Sequence, residues 1–220
     1  MGFGHVRFCR SGGNHCHAAP FSGPSVYFHR RTLEHLRRHD SAADALKDDT
    51  YVEALYATLT AWGLHRAGPG NAKLLDLVDI RRNLLRSADL IRELEPYRIS
   101  SLGSVTIEQV AGRLCALLER VRVSQAPTFL VSNTKALHHL LPSLVPPVDD
   151  GYTLGFFFHS MILDGNNDGE VFRTIFPYFH ELARENAEVI RGAIGRGFMN
   201  TSETKVIDNA IVGYCLQHYV

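Results

Sequence analysis

The chain has no excess of charge of either sign, since its 220 residues hold 23 lysines and arginines and 23 aspartates and glutamates. A nucleic-acid site on this chain must therefore be a local basic patch, because there is no global positive field. Long apolar runs are also missing, and none approaches the ~18 residues that a membrane-spanning helix requires. The first residues lack the apolar segment of a signal peptide. We expect a cytoplasmic protein that makes no contact with a membrane.

Cysteine is scarce, with four residues scattered along the chain: Cys9, Cys16, Cys115 and Cys215. Because two of them fall within apolar helical patterns, we expect reduced thiols rather than disulfides. His15 and His17 flank Cys16, but adjacent ligands without a second, well-spaced pair do not fit a structural zinc site. We therefore predict no bound metal and no other cofactor.

One acidic run has part of a calcium-binding pattern. In DGNNDGE, Asp164, Asn166, Asp168 and Gly169 occupy the first, third, fifth and sixth places of an EF-hand loop. The twelfth place should supply a bidentate glutamate, but it holds Ile175. Without that ligand we expect a polar turn between two helices rather than a calcium site.

Runs that alternate polar and apolar residues, which would indicate strands, are absent, whereas apolar residues at helical spacing recur. The pattern predicts an all-α chain, a multi-helix bundle of about eight to ten helices at ordinary helix lengths. Residues 1–24 are rich in glycine, serine and proline without a sustained period, so we expect an irregular or disordered lead-in. Residues 25–220 are expected to form a single globular domain.

Local signals predict several helix boundaries. Residues 74–95 should form two helices broken near Ser87, and residues 171–196 should form one long helix with Pro177 in its first turns. The residues expected at helix starts are Asp49 or Thr50, a capping box of Thr106 and Gln109, Ser132 or Asn133, Asp150, and Thr201 or Ser202.

The stretch TFLVSNTKALHHLLPSLVPPVDDGY, residues 128–152, concentrates the residue types that carry chemistry. Its polar residues Ser132, Asn133 and Thr134 should form a turn that opens a short helix. Free N–H groups at such a helix start suit a phosphate group, and Lys135 would add a positive charge beside them. We therefore treat these four residues as candidate contacts to an anion.

Two prolines follow in this stretch and fix an extended arm that ends in two adjacent carboxylates, Asp149 and Asp150. An arm of this kind can hold Asp149 in a defined place, as a general base or an electrostatic stabiliser must be held. The alternative is that Asp149 or Asp150 caps the helix that follows.

The order of polar turn, short apolar helix, Pro-Val-Asp arm and aromatic-rich helix resembles the helix-hairpin-helix DNA glycosylases. In that all-α family a glycine-rich hairpin binds a DNA phosphate through backbone amides, and a following segment supplies the catalytic aspartate. The resemblance places the hairpin at Leu130–Ala136. It also places the aspartate segment at Pro147–Tyr152, which implies that Asp149 is the catalytic carboxylate.

The chain departs from the family pattern within the hairpin. Ser132 and Asn133 stand where the family has glycines, and the distance to the aspartate segment is short. A gapless match puts Thr134 where a bifunctional glycosylase has its lyase lysine, with Lys135 one step away. The chain also resembles a group of bacterial proteins that share two features with it. These are the order Asn-Thr-Lys, His-His, Pro-Pro-x-Asp and a later Lys-Val-Ile-Asp-Asn-Ala run. This resemblance implies a family but no activity.

Other candidate residues lie near the glycine turn at residues 68–70, and they are Trp62, His65, Arg66, Asn71 and Lys73. They could present polar groups to a ligand, or the segment could be an ordinary corner between helices. His138 and His139 are adjacent in a helix and diverge by about 100°, so we expect one to face the site and do not expect the pair to bind metal. Lys205, Asp208 and Asn209 share a helix face and either complete a polar pocket or form a surface ion pair.

Two functional hypotheses follow from the sequence. The first is a DNA-binding, glycosylase-like domain in which Asp149 and Lys135 are catalytic and the flipped base stacks on Trp62 or Tyr152. The second is a helical binding or interaction protein that keeps the fold without the chemistry. The rigid arm before Asp149 favours the first, and the missing glycines and zero net charge favour the second.

Overall fold

The computed structural model describes residues 23–65, 73–158 and 167–218, apart from the side chain of Val105. Within these ranges the backbone forms eleven α-helices, and its one β-type pairing is an isolated bridge between Leu74 and Ser124. The prediction of an all-α bundle is confirmed. The helix count exceeds ten because two helices, α2 and α8, are only four residues long. The lead-in at residues 1–22, Cys9, Cys16, Arg66, Asn71 and the EF-hand-like positions 164 and 166 lie outside the described residues.

The helices, in chain order, are α1 Pro24–Leu36, α2 Ala42–Ala45, α3 Asp49–Leu59, α4 Leu77–Leu85, α5 Ala88–Leu94, α6 Ser104–Arg120, α7 Leu130–His138, α8 Gly155–Phe158, α9 Asp168–Glu185, α10 Ala187–Ala193 and α11 Glu203–His218. Two π-helical turns, Thr60–Leu64 and Asp150–Leu154, and one 3₁₀ turn, Ile99–Ser101, connect them. No helix in the described ranges has the length and apolar character to span a bilayer.

Two predicted helix starts, those of α3 and α6, lie one to three residues beyond the observed ones. Asp48, rather than Asp49 or Thr50, caps α3 by accepting a hydrogen bond of 2.9 Å from the Thr50 N–H. Helix α6 begins at Ser104 without a side-chain cap, so the capping box of Thr106 and Gln109 is not formed. The predicted cap at Ser202 is confirmed, because its hydroxyl accepts a hydrogen bond of 3.2 Å from the Lys205 N–H.

The long helix predicted for residues 171–196 is two helices. Pro177 lies inside α9, as expected, but the chain breaks at Asn186, whose φ of −112° and ψ of 21° are not helical. The Asn186 backbone N–H and side chain both donate to the Leu182 carbonyl, at 3.2 and 3.0 Å, and so close the last turn of α9. The predicted break near Ser87, between α4 and α5, is confirmed.

The core lies where α6 packs against α9 and where α1 packs against α3. Helix α9 contributes three fully buried rings, Phe172, Phe176 and Phe179, and the first two stack with their centroids 5.5 Å apart. Tyr51 of α3 is also fully buried, and its hydroxyl donates to the carbonyl of His139 at 2.8 Å. This bond fixes the end of α7 against α3, so the stretch that carries the candidate site is anchored in the core.

The packing of α9 gives a stability prediction. Phe176→Ala should lower the free energy of unfolding by about 3–5 kcal/mol, because it removes a fully buried ring and leaves a cavity. Phe198→Ala is the matched control, since 71% of Phe198 is exposed and its loss should change stability by no more than about 0.5 kcal/mol. Urea unfolding followed by circular dichroism measures both. Similar losses in the two variants would contradict this description of the core.

Candidate functional site

The candidate site is built around an ion pair between Lys135 and Asp149. Helix α7 carries Lys135, and its Nζ lies 3.1 Å from Oδ2 of Asp149. The lysine side chain is 11% exposed and the aspartate side chain 38% exposed. Asp149 Oδ1 also accepts a hydrogen bond of 3.0 Å from the Gly151 N–H, so Asp149 caps the π-helical turn. Asp149 thus caps the π-helical turn and also pairs with Lys135. The prediction that Asp150 caps this helical segment is wrong.

The two neighbouring carboxylates have opposite pKa shifts. Burial by itself raises the pKa of Asp149, but the charge and hydrogen bond of Lys135, with the N–H groups of Gly151 and Tyr152, outweigh it and hold that pKa below the usual range. Partial desolvation and the charge of Asp149 raise the pKa of Asp150. Asp149 is therefore the more acidic of the two carboxylates, and its charge is the one that the surroundings stabilise.

A second ion pair lies deeper, on α11. Nζ of Lys205 donates to Oδ2 of Asp208, and both side chains are buried. Burial raises the pKa of Asp208, although the charge of Lys205 opposes the shift. The charges of Asp149 and Lys135 also act on Asp208, so the two ion pairs belong to one electrostatic site. The alternative of a surface Lys–Asp pair on this helix is wrong.

A chain of hydrogen bonds connects α1 to Lys135, and we call it the histidine relay. His139 Nδ1 lies 2.7 Å from the Lys135 carbonyl oxygen, so this nitrogen must carry the proton. His139 Nε2 then accepts from His29 Nδ1 at 2.9 Å, and His29 Nε2 accepts from the Thr201 hydroxyl at 2.7 Å. The relay consists of Thr201, His29 and His139, and the bonds fix one neutral tautomer at each ring.

His138 is fully buried beside the relay and has one nitrogen without a partner. Its Nδ1 donates to the Val145 carbonyl at 2.9 Å, which leaves Nε2 as a bare acceptor with no hydrogen bond among the described residues. Burial, followed by the charges of neighbouring groups, lowers the pKa of His138 and of His29. Burial also lowers the pKa of His139, to about 4. All three rings are therefore neutral near pH 7.

Trp62 forms one wall of this cluster. Its ring stacks on His29 with centroids 5.3 Å apart, and Nζ of Lys205 lies 5.2 Å from its centroid. The π-helical turn that carries Trp62 ends α3, because Gly63 has a φ of 88°, which only glycine adopts readily. Trp62 is thus brought to the site, but the rings and charges already in contact with it compete with a stacked base.

The predicted polar turn at Ser132, Asn133 and Thr134 is wrong, because all three lie within α7 and are buried. Asn133 donates to the Leu118 carbonyl at 2.8 Å and to the Val121 carbonyl, which satisfies the C-terminus of α6. The Ser132 hydroxyl meets that of Ser124 at 3.0 Å. The Thr134 hydroxyl accepts from the Val148 N–H at 3.1 Å and so fixes the proline arm.

The start of α7 does not present free N–H groups to a phosphate. The carboxylate of Asp168, from α9, accepts hydrogen bonds from the N–H groups of Phe129 and Leu130. An internal carboxylate therefore occupies the position that was expected for an anion. The same contact gives Asp168 a structural role. Among the described residues, Asp168 is the one side-chain oxygen ligand of the EF-hand-like run.

The remaining predicted residues lie around the site rather than in it. His65 is exposed, and its Nδ1 bonds to the Thr60 carbonyl at 2.8 Å. Lys73 is exposed beside the Leu74–Ser124 bridge, and its carbonyl accepts from the Gln125 N–H at 2.7 Å. Tyr152, three residues after Asp149, is half-buried.

Sequence reasoning missed His29 and Thr201. The available signal was the apolar face of α1, because His29 precedes Thr32, Leu33 and Leu36 at helical spacing. A single buried histidine gives no signal for its partner when that partner is 172 residues away.

Comparison with known proteins gives no match, since no family model, curated protein or solved structure is significantly similar to the chain. Within the described ranges, no set of three or more His, Cys, Asp and Glu side chains has the arrangement of a metal site. The function must therefore be argued from the ion pairs, the histidine relay and the surfaces around them.

The buried histidines predict a loss of stability in acid. Their folded-state pKa values lie below the ordinary histidine value of about 6.5. As pH falls through that value, the unfolded chain therefore gains protons that the folded chain does not. Stability should be constant above this pH and fall towards pH 4, where His139 itself titrates. Each histidine that stays neutral contributes a slope of about 1.4 kcal/mol per pH unit.

His139→Gln should remove about one histidine's share of that slope, and His65→Gln is the control because His65 is exposed. Free energies of unfolding in urea, measured at about pH 7.5, 6 and 5, give the slopes. Identical slopes in wild type and His139→Gln would show that folding does not lower the pKa of His139.

Proposed function

We propose that the chain is a glycosylase-like enzyme that acts on DNA, with Asp149 stabilising the positive charge that develops on the sugar as an N-glycosidic bond breaks. The observation that supports this best is the pairing of Asp149 with Lys135 at 3.1 Å, in a position where 38% of the aspartate side chain remains exposed. A carboxylate in this setting is both ionised and accessible to substrate.

The arm before Asp149 supports the same role. Val145 to Val148, including both prolines, are buried, and the Val148 N–H is bonded to Thr134. The Asp149 N–H donates in turn to the Thr153 hydroxyl at 3.1 Å. The carboxylate is therefore fixed before substrate arrives, and fixed charges stabilise a transition state without reorganisation.

Lys135 would act through Asp149. Its ammonium group offsets the cost of burying the carboxylate and keeps Asp149 ionised near pH 7. Because the contacts around Trp62 compete with a base, the half-buried ring of Tyr152 is the better candidate to stack on the flipped base.

A second candidate function is a helical binding protein without catalysis. It is favoured by the contact of Asp168 with the start of α7, which leaves no phosphate site where a hairpin would have one. Burial and the charges of Asp149 and Asp168 raise the pKa of Asp150 against the opposing charge of Lys135, so carboxylates outnumber the lysine here and disfavour a phosphate backbone. In this reading the ion pairs and the histidine relay maintain the fold.

The two candidate functions predict different results when the protein is mixed with DNA that contains a damaged base, because only the enzyme would release that base. Wild-type protein should release a damaged base from duplex oligonucleotides that each carry one deaminated, oxidised or alkylated base. Asp149→Asn should lower the rate by at least about 100-fold, because the amide cannot stabilise the positive charge. Asp150→Asn is the matched control and should keep most of the activity, since Asp150 has no ion pair with Lys135 in the described structure. Absence of release by wild type from every substrate would favour the binding protein.

Lys135→Met gives an independent test of the ion pair. Without the lysine charge the pKa of Asp149 should rise, so a rate that needs the ionised carboxylate should lose activity at a higher pH than in wild type. The measurement is the pH profile of base release, with circular dichroism at each pH to confirm folding. An unchanged acid limb would show that Lys135 does not control the charge of Asp149.

A further inference from the structure

The outer face of α1 forms a groove that the proposed active site does not use. It has a volume of about 610 Å³ and is lined by Val26, Tyr27, Arg30, Arg31, Glu34 and Phe198, which we call the α1 groove. The inner face of the same helix carries His29, which enters the histidine relay. The groove and the Lys135–Asp149 pair therefore lie on different sides of α1.

Two aromatic rings of the α1 groove are exposed to solvent. Tyr27 is 63% exposed and Phe198 71% exposed, which makes them the most exposed large aromatic side chains of the described residues. Both rings line the same groove, and large apolar rings left exposed in a groove mark a surface that binds a flat or apolar ligand.

The turn that carries Phe198 is built to hold the ring outward. Gly195 and Gly197 have φ values of 80° and 84°, in the left-handed region that favours glycine. The Gly195 N–H donates to the Asn200 carbonyl at 2.7 Å, and the Asn200 side chain donates to the Arg196 carbonyl at 2.8 Å. The buried side chain of Asn209 then donates to Asn200 at 2.9 Å, which ties the turn to α11.

The charge around these rings is positive. The guanidinium of Arg30 lies 5.9 Å from the Phe198 centroid, and no carboxylate of the described residues is within ion-pair distance of it. Arg196 is exposed on the same turn as Phe198. The one acidic residue of the groove, Glu34, is 3.7 Å from Arg31. Arginines between exposed aromatic rings match a ligand with alternating phosphates and flat bases.

We propose that the α1 groove binds single-stranded nucleic acid, with bases stacked on Tyr27 and Phe198 and phosphates held by Arg30, Arg31 and Arg196. The choice of DNA as the strand rests on the proposed function, whereas the stacking and the charge rest on the groove alone. Binding here would place a strand on the basic side of α1 and away from the acidic surroundings of Asp149.

The test is fluorescence anisotropy with a labelled oligothymidylate of about 15 nucleotides, a length within the range of single-strand binding sites. Wild type should bind, and affinity should fall as salt is raised. Phe198→Ala and Tyr27→Ala should each raise the Kd by about tenfold, the loss expected for one stacked base. Arg30→Gln should reduce the dependence of affinity on salt.

Tyr97→Ala is the matched control, because Tyr97 is an exposed aromatic residue outside the groove. Asp149→Asn should bind the strand as wild type does, since its carboxylate is not in the groove. Equal Kd values for wild type and Phe198→Ala, or no salt-sensitive binding, would overturn the groove proposal. So would a concentration-dependent dimer that Phe198→Ala abolishes, because a second copy would then occupy the groove.

The failure of either proposal can be distinguished from the failure of the other. Strand binding that depends on Phe198, with no base release from any substrate, would keep the groove and remove the glycosylase proposal. Base release that depends on Asp149, with a Kd for the strand that Phe198→Ala does not change, would keep the glycosylase proposal and remove the groove proposal.

Discussion

The buried ion pairs are the constraint that the rest of the site satisfies. Taking a lysine and an aspartate out of water is expensive, and removing one partner of a buried pair typically costs about 3–5 kcal/mol. The pair of Lys205 and Asp208 is almost completely buried, and that of Lys135 and Asp149 is partly buried. The charges of Lys135 and Asp149 act on Asp208, so the ion pair that involves α7 and the ion pair on α11 are coupled electrostatically.

The polar side chains around these pairs are explained by the same constraint. Helix α7 is buried along most of its length although it contains Ser132, Asn133, Thr134 and Lys135. Each of them finds a partner on another segment, and the carbonyl of His139 receives the hydroxyl of Tyr51. A helix that is polar by composition is thus interior because its neighbours supply the hydrogen bonds.

The sequence carried enough information for the helices and for one half of the site. Apolar spacing and breakers located the α-helices, and two prolines before adjacent carboxylates identified Asp149 as a fixed group. Composition could not show that α7 is buried, because its polar side chains are paired by Leu118, Ser124 and Val148, which lie 8 to 15 residues away and outside the helix. Asp168 gave a misleading signal for the same reason, since its role depends on α7.

A chain with zero net charge can still discriminate between parts of a charged ligand if its charges are segregated. Acidic groups surround Asp149, whereas the exposed arginines of α1 and of the turn at Phe198 lie on the other side of α1. Under the two proposals, a phosphate would be disfavoured in the first region and attracted to the second, so a nucleic acid would present an uncharged sugar and base to Asp149. If both proposals hold, the carboxylates near Asp149 would orient the substrate there, and the arginines of the α1 groove would hold a separate part of the strand.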